Sequence, residues 1–175
     1  KRILIGKKDL QKIITRLAHE IVESSNDLSN VVIVGIKTRG EFIAQRIIKE
    51  IKRIKSVDLQ LGTLDITFHR DDFNETLIMP KLGPSEIPCD LNKKQIILVD
   101  DVLYTGRTIR SAMEEIFSFG RPDKIKLAIL VDRGHRELPI RPDFIGKNLP
   151  TGLNEHIVVN VEEVDSKDEI LVVIE

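Results

Sequence analysis

The stretch Ile96-Ile97-Leu98-Val99-Asp100-Asp101-Val102-Leu103-Tyr104-Thr105-Gly106-Arg107-Thr108 decides the fold. Residues 95–99 end in a continuous apolar run, as expected of a strand buried on both faces of a parallel sheet. Two acids close that strand, and residues 107–119 then carry apolar side chains at helical spacing until Gly120 and Pro122 stop the helix. Strand, turn and helix in this order form one unit of an open α/β sheet, in which ligands bind outside the carboxyl ends of the strands. The turn from Asp100 to Thr108 is therefore the first place to look for a site.

Outward from this unit the pattern repeats. Val31 to Ile36 and Ile125 to Val131 are short apolar runs that predict two more buried strands. After the first of them, Phe42, Ile43, Ile47, Ile48, Ile51 and Ile54 form the apolar stripe of a helix, with Lys49, Lys52, Arg53 and Lys55 on its wet side. Near the start, Leu10, Ile13, Ile14, Leu17, Ala18 and Ile21 predict an amphipathic helix over about 10–24 with Asp9 as its N-cap. Residues 57–67 alternate as a strand does, whereas residues 68–92 hold three prolines and no period, which predicts a lid or a disordered loop. Ile157 to Val161 and Ile170 to Ile174 read as later or edge strands. The expectation is a single domain, 1–175, with a mostly parallel sheet flanked by helices.

Composition narrows the function classes. The chain has 27 Lys and Arg against 28 Asp and Glu, a net charge of −1, so bulk electrostatics favour neither a nucleic-acid binder nor a membrane-surface protein. The charge is uneven: residues 1–19 hold six Lys or Arg and one Asp, and residues 155–175 hold seven acids and one Lys. The two ends are thus expected to paint opposite faces and leave room for a basic patch. Cys89 alone cannot form an internal disulfide, and no apolar run is long enough to span a bilayer. With no secretory segment evident either, a reducing, cytoplasmic setting with no membrane partner is expected, and Cys89 is expected to be structural. The first residue is Lys1, so a trimmed start is expected.

The chemistry follows from the turn. Gly106 lets the backbone approach a ligand closely, Thr105 and Thr108 offer hydroxyls, and the first amides of the helix point at an anion. Two carboxylates beside a phosphate would repel it, so Asp100 and Asp101 more naturally face sugar hydroxyls or a hydrated cation. A sugar phosphate satisfies both demands. A merely capped helix after an acidic turn would not need Thr-Gly in register. Signalling receiver domains also set paired acids after a strand, but near the chain start and without Thr-Gly-Arg-Thr.

The same thirteen residues resemble the phosphoribosyl diphosphate (PRPP) motif of type I phosphoribosyltransferases. Gly35-Ile36-Lys37-Thr38-Arg39-Gly40, His69-Arg70-Asp71-Asp72, Asp132-Arg133-Gly134-His135-Arg136-Glu137-Leu138-Pro139 and Asp143-Phe144-Ile145-Gly146-Lys147 extend the likeness. Together they resemble the bacterial pyrimidine operon regulatory proteins over nearly the whole length. The resemblance implies a type I phosphoribosyltransferase fold with a small hood and a lid over about 68–92. It implies an enzyme that joins uracil to PRPP with Mg²⁺, giving UMP and diphosphate, and a regulator that binds operon leader RNA in response to UMP or UTP. It also implies a homodimer or larger homo-oligomer. A salvage enzyme without RNA binding, or a PRPP sensor without turnover, fits the same motif.

Carried over residue by residue, the resemblance gives Asp100, Asp101, Arg39 and Arg70 catalytic roles. Lys37, Thr38, Arg39 and Gly40 form the diphosphate turn, and Asp71 belongs to the lid. Val102, Leu103, Tyr104, Thr105, Gly106, Arg107 and Thr108 hold the ribose phosphate, while Asp132 and Arg133 lie in the segment that reads the base. Tyr104 stands where purine-using relatives usually carry an acid, which suits a pyrimidine. Mg²⁺ is expected mainly on PRPP itself, with Asp100 and Asp101 as its protein contacts. Thr15, Arg16, His19, His135, Arg141 and Lys147 are expected to touch RNA. The first three lie on the polar face of the first helix, although the late loop Thr151-Gly152-Leu153-Asn154 lacks the basic residues expected of it.

Overall fold

The structure is a computed structural model, and it describes residues 1–66 and 84–174. Five parallel strands form the central sheet, in the order β3 (Gln60–Leu64), β2 (Val31–Ile36), β4 (Gln95–Leu103), β5 (Lys124–Asp132), β6 (Phe144–Asn148). Between them run α1 (Lys7–Ser24), which precedes β2, α2 (Arg39–Lys55) and α3 (Arg107–Phe119). Alternation sorts the side chains of β2 and β4 to the two faces. Val31, Ile33, Ile97 and Val99 pack with α1 and α2 in one core, and Val32, Val34, Ile96 and Leu98 pack in a second with Ile109, Ala112 and Ile116 of α3. The expected α/β architecture is thus present, with helices on both faces.

A second, antiparallel sheet of three strands forms the hood. It joins β1 (Arg2–Gly6), β8 (Glu169–Ile174) and β7 (Glu155–Asn160) in that order, with the four-residue α4 (Glu162–Asp165) between β7 and β8. The late strands predicted from sequence are β7 and β8; β1 and β6 were not anticipated, because each is only five residues long and neither alternates cleanly.

Several expectations need correction. Helix α1 begins at Lys7 with Gly6 as its N-cap, and Asp9 sits in the first turn bonded to Lys12 at 2.9 Å. Strand β4 runs to Leu103, so the acid pair lies within the strand rather than beyond it. The charged ends do not occupy opposite faces. Strand β1 pairs with β8, and Lys7 meets Glu162 at 2.5 Å. Of the segment expected as a lid, 84–92 is packed into the body: Leu91 is fully buried, and Thr63 and Glu86 exchange two backbone bonds of 2.8 Å. Cys89 packs against the core on the α3 face, in keeping with a structural role.

Candidate active site

The carboxyl ends of β2, β4 and β5 bring three turns together. Residues 37–40 follow β2, and Gly40 opens α2 directly against the end of β4. A Cβ on Gly40 would stand 2.7 Å from the Val99 carbonyl oxygen and 3.2 Å from the Asp100 Cα, so only glycine allows this approach. Asp100 is 7% exposed, and its Oδ1 accepts the Asp101 amide at 2.9 Å. Asp101 in turn accepts the Val102 amide at 2.8 Å. These local bonds fix both carboxylates within the last part of β4.

The turn between β4 and α3 closes around Gly106, whose φ of +95° places it in the region that favours glycine. The Arg107 amide donates to Thr105 Oγ1 at 3.3 Å, and Arg110 donates to the Gly106 carbonyl at 3.0 Å as α3 begins. Val102 and Thr108 are half-buried and Leu103 is buried. Support comes from Glu137 and Leu138, to which sequence reading gave no role. The Glu137 and Leu138 amides both donate to the Thr105 carbonyl, at 2.9 and 3.1 Å, and Arg107 Nε meets Glu137 Oε2 at 2.8 Å.

On the third turn, Arg133 is 4% exposed and lies with its Cζ 4.0 Å from the centre of the Tyr104 ring. Its guanidinium also donates to Thr151 Oγ1 at 3.0 Å and to the Glu155 carbonyl at 2.7 Å, which ties the turn to the entry of β7. Asp132 is occupied locally: its oxygens accept the Gly134 amide at 3.0 Å and Arg136 Nη2 at 2.6 Å. Arg136 further donates to the Tyr104 carbonyl at 2.8 Å. Sequence gave Arg136 no role of its own; its place four residues after Asp132 was the available signal.

In the first turn, Lys37 Nζ donates to the Pro84 carbonyl at 2.8 Å, and the Lys37–Thr38 peptide bond is cis. Thr38 is exposed and makes no side-chain cap for α2. Arg39 forms a two-pronged pair with Asp165 of α4, Nε to Oδ2 at 3.0 Å and Nη2 to Oδ1 at 2.7 Å. The Arg39 hydrogen bond holds the Asp165 carboxyl below its ordinary range. Asp165 was not anticipated. Arg70 and Asp71 lie outside the described residues.

The residues expected to meet RNA separate into groups. Thr15, Arg16 and His19 share one open cleft with Gln11 and Lys12 on α1. Two of them are engaged: Thr15 donates to Glu50 at 3.1 Å, and Arg16 donates to the Ile145 carbonyl at 3.3 Å and to the Gly146 carbonyl of β6. His19, Arg141 and Lys147 are exposed. His135 belongs to the rim of the site instead, edge-on to Tyr104 at 6.0 Å and bonded through Nε2 to the Thr151 carbonyl at 2.6 Å.

With this geometry in view, comparison with known proteins is informative. The model of the phosphoribosyl transferase domain matches residues 6–165. The chain belongs to the phosphoribosyl transferase family. Relatives similar to this phosphoribosyl transferase include the bifunctional protein PyrR of Latilactobacillus sakei, 50% identical over 97% of the chain and 96% of that protein. Another is the bifunctional protein pyrR of Enterococcus faecalis, 48% identical over 98% and 96%. Among solved structures, a hypoxanthine-guanine phosphoribosyltransferase from Bacillus anthracis is 20% identical and superposes with a TM-score of 0.74 over 99% of this chain and 98% of that one. A hypoxanthine phosphoribosyltransferase from Staphylococcus aureus is 22% identical, with a TM-score of 0.72 over 97% and 89%. The fold is that of the type I phosphoribosyltransferases.

Proposed function

We propose that the protein transfers the phosphoribosyl group of PRPP to uracil, giving UMP and diphosphate, and binds pyrimidine operon leader RNA in response to uridine nucleotides. The observation that carries the enzymatic part is the apposition of Gly40 and Asp100, which sets a diphosphate turn and a ribose-phosphate turn side by side. In the reaction the C1–O bond to diphosphate breaks with its electron pair on the leaving group, the C1–N1 bond to uracil forms, and uracil gives up its N1 proton.

Amides and hydroxyls of 105–108 would hold the 5-phosphate, and Asp100 and Asp101 the ribose hydroxyls. The Lys37-Thr38-Arg39 turn would meet the charge that collects on diphosphate. Arg70 and Asp71 are assigned to closing the site against water. Among the described residues no three metal-ligating side chains stand together, whereas Asp100 and Asp101 offer two hard oxygens. That set suits Mg²⁺ arriving on the substrate's own oxygens, where it would offset leaving-group charge. The Arg133–Tyr104 stack gives the base a flat wall without an acid for a purine nitrogen, which supports uracil.

The RNA part rests on the exposed His19, Arg141 and Lys147, with His135 at the site rim. A folded hairpin would be met through splayed bases and phosphates. A salvage enzyme without RNA binding is the second reading, favoured by the engagement of Thr15 with Glu50 and of Arg16 with β6. We place the protein in the cytoplasm, as a homodimer or larger homo-oligomer. Radiolabelled uracil with PRPP and Mg²⁺ is expected to yield UMP, and hypoxanthine no IMP; efficient turnover of hypoxanthine would remove the pyrimidine assignment. A leader-RNA titration with and without UMP separates regulator from salvage enzyme, and binding should weaken with salt by a slope of about −0.7 per phosphate contact.

A further inference from the structure

We infer that Asp165 of the hood is the positioning residue for Arg39, so that the diphosphate of PRPP is captured by an arginine whose orientation the hood sets. The inference rests on the phosphoribosyl transfer proposed above. Asp165 grips the guanidinium side-on, through Nε at 3.0 Å and Nη2 at 2.7 Å. Nη1 takes no part in that fork. The carboxylate is itself anchored, because its Oδ2 accepts the Val161 amide at 2.9 Å while the Asp165 amide donates to the Val161 carbonyl at 2.7 Å.

Two physical reasons give the pair its role. Arg39 is the first residue of α2, where a cation opposes the helix dipole. A neighbouring carboxylate offsets that cost and keeps the cation at the turn. An unanchored arginine would also lose its rotamer freedom on meeting diphosphate, whereas one already fixed in a fork loses little. The Asp165 hydrogen bond also raises the pKa of Arg39, with Asp101 adding a smaller attraction in the same direction. A second polar contact of α2 with the hood is separate: Arg46, seven residues along, binds Glu163 at 2.6 Å and Asp168 at 2.8 Å. The Arg46 contacts can therefore be weakened without touching the Arg39–Asp165 pair.

The test uses the full chain with PRPP, uracil and Mg²⁺. Asp165→Asn is expected to raise the KM for PRPP roughly tenfold with little change in kcat, and to weaken binding of inorganic diphosphate in parallel. Asp165→Glu should restore part of the loss. In an Arg39→Ala background Asp165→Asn should add nothing, since the effect passes through Arg39. Glu163→Gln should lower the melting temperature and leave the KM for PRPP unchanged. An unchanged KM in Asp165→Asn, independent addition of the two single effects, or an equal rise in Glu163→Gln would overturn the inference. If the wild-type protein made no UMP, the reaction proposed above would fall, and the diphosphate titration would still decide the pair.

Discussion

At Gly40 the start of α2 touches β4. The 2.7 Å left between a built Cβ and the Val99 carbonyl oxygen means that Gly40→Ala must lift α2 from β4. We expect a loss of about 1–3 kcal/mol in stability by denaturant melt, the usual range for overpacking. PRPP affinity by calorimetry should fall with it, because Arg39 moves with the helix start; a normal PRPP affinity would show that the two turns act separately. Such residues differ in how legible they were. The turn and helix signals of 104–119 lie in consecutive order, so the tight turn at Gly106 and the helix after it could be read directly. Asp165 could not, since it meets Arg39 across 126 positions of sequence and sits among other acids with no distinguishing pattern. Tyr104 could be singled out from sequence, but the buried guanidinium beside its ring could not.

Among the elements, α1 carries the clearest change of meaning. Its polar face reads as an RNA surface by resemblance, and yet Arg16 reaches past that face to the carbonyls of Ile145 and Gly146 on the edge strand β6. Satisfying those carbonyls protects an edge that would otherwise be open to pairing. Arg16→Ala should therefore cost about 1 kcal/mol of stability as well as any RNA contact, and so it does not isolate RNA binding. His19→Ala and Lys147→Ala, both exposed, are the cleaner probes. In a gel shift they should weaken leader-RNA binding several-fold while UMP synthesis and melting temperature stay at wild-type values; unchanged RNA binding in both would favour the salvage reading. The strand β4 teaches a similar lesson. Its apolar run ends at Val99, but pairing with β5 continues as far as Leu103 and Asp132, so hydrogen bonds to a neighbour extend the strand through two acids.

For the whole molecule, the hood meets α1 and α2 through the buried Ile5, Val159, Val161 and Ile170 and through a set of ion pairs. The Arg39 hydrogen bond lowers the pKa of Asp165, and the Arg46 hydrogen bond lowers that of Glu163. At Asp168 burial opposes the charge, but hydrogen bonds from Arg46 and the Glu162 amide outweigh it and lower the value. All three are depressed below ordinary values of 3.8 for Asp and 4.5 for Glu, so their stabilisation is present above those values and fades as pH falls through the folded ones. Hydrogen exchange in acid should therefore show the amides of β7 and β8 opening before those of β2 and β4. Simultaneous opening of both sheets would mean that apolar packing, not charge, holds the hood.

The order of buried strands, the helices between them and the glycine turn that opens α3 were determined by the sequence alone. Each depends on a short period or on neighbouring residues, and local sterics and burial act over that same range. Only the tertiary structure decided that β1 closes against β8, that 84–92 packs into the body, that Arg133 lies under Tyr104 and that Arg39 meets Asp165. Those contacts join distant parts of the chain through strand pairing and side-chain reach, and no spacing rule along the chain encodes which acid a given arginine will find.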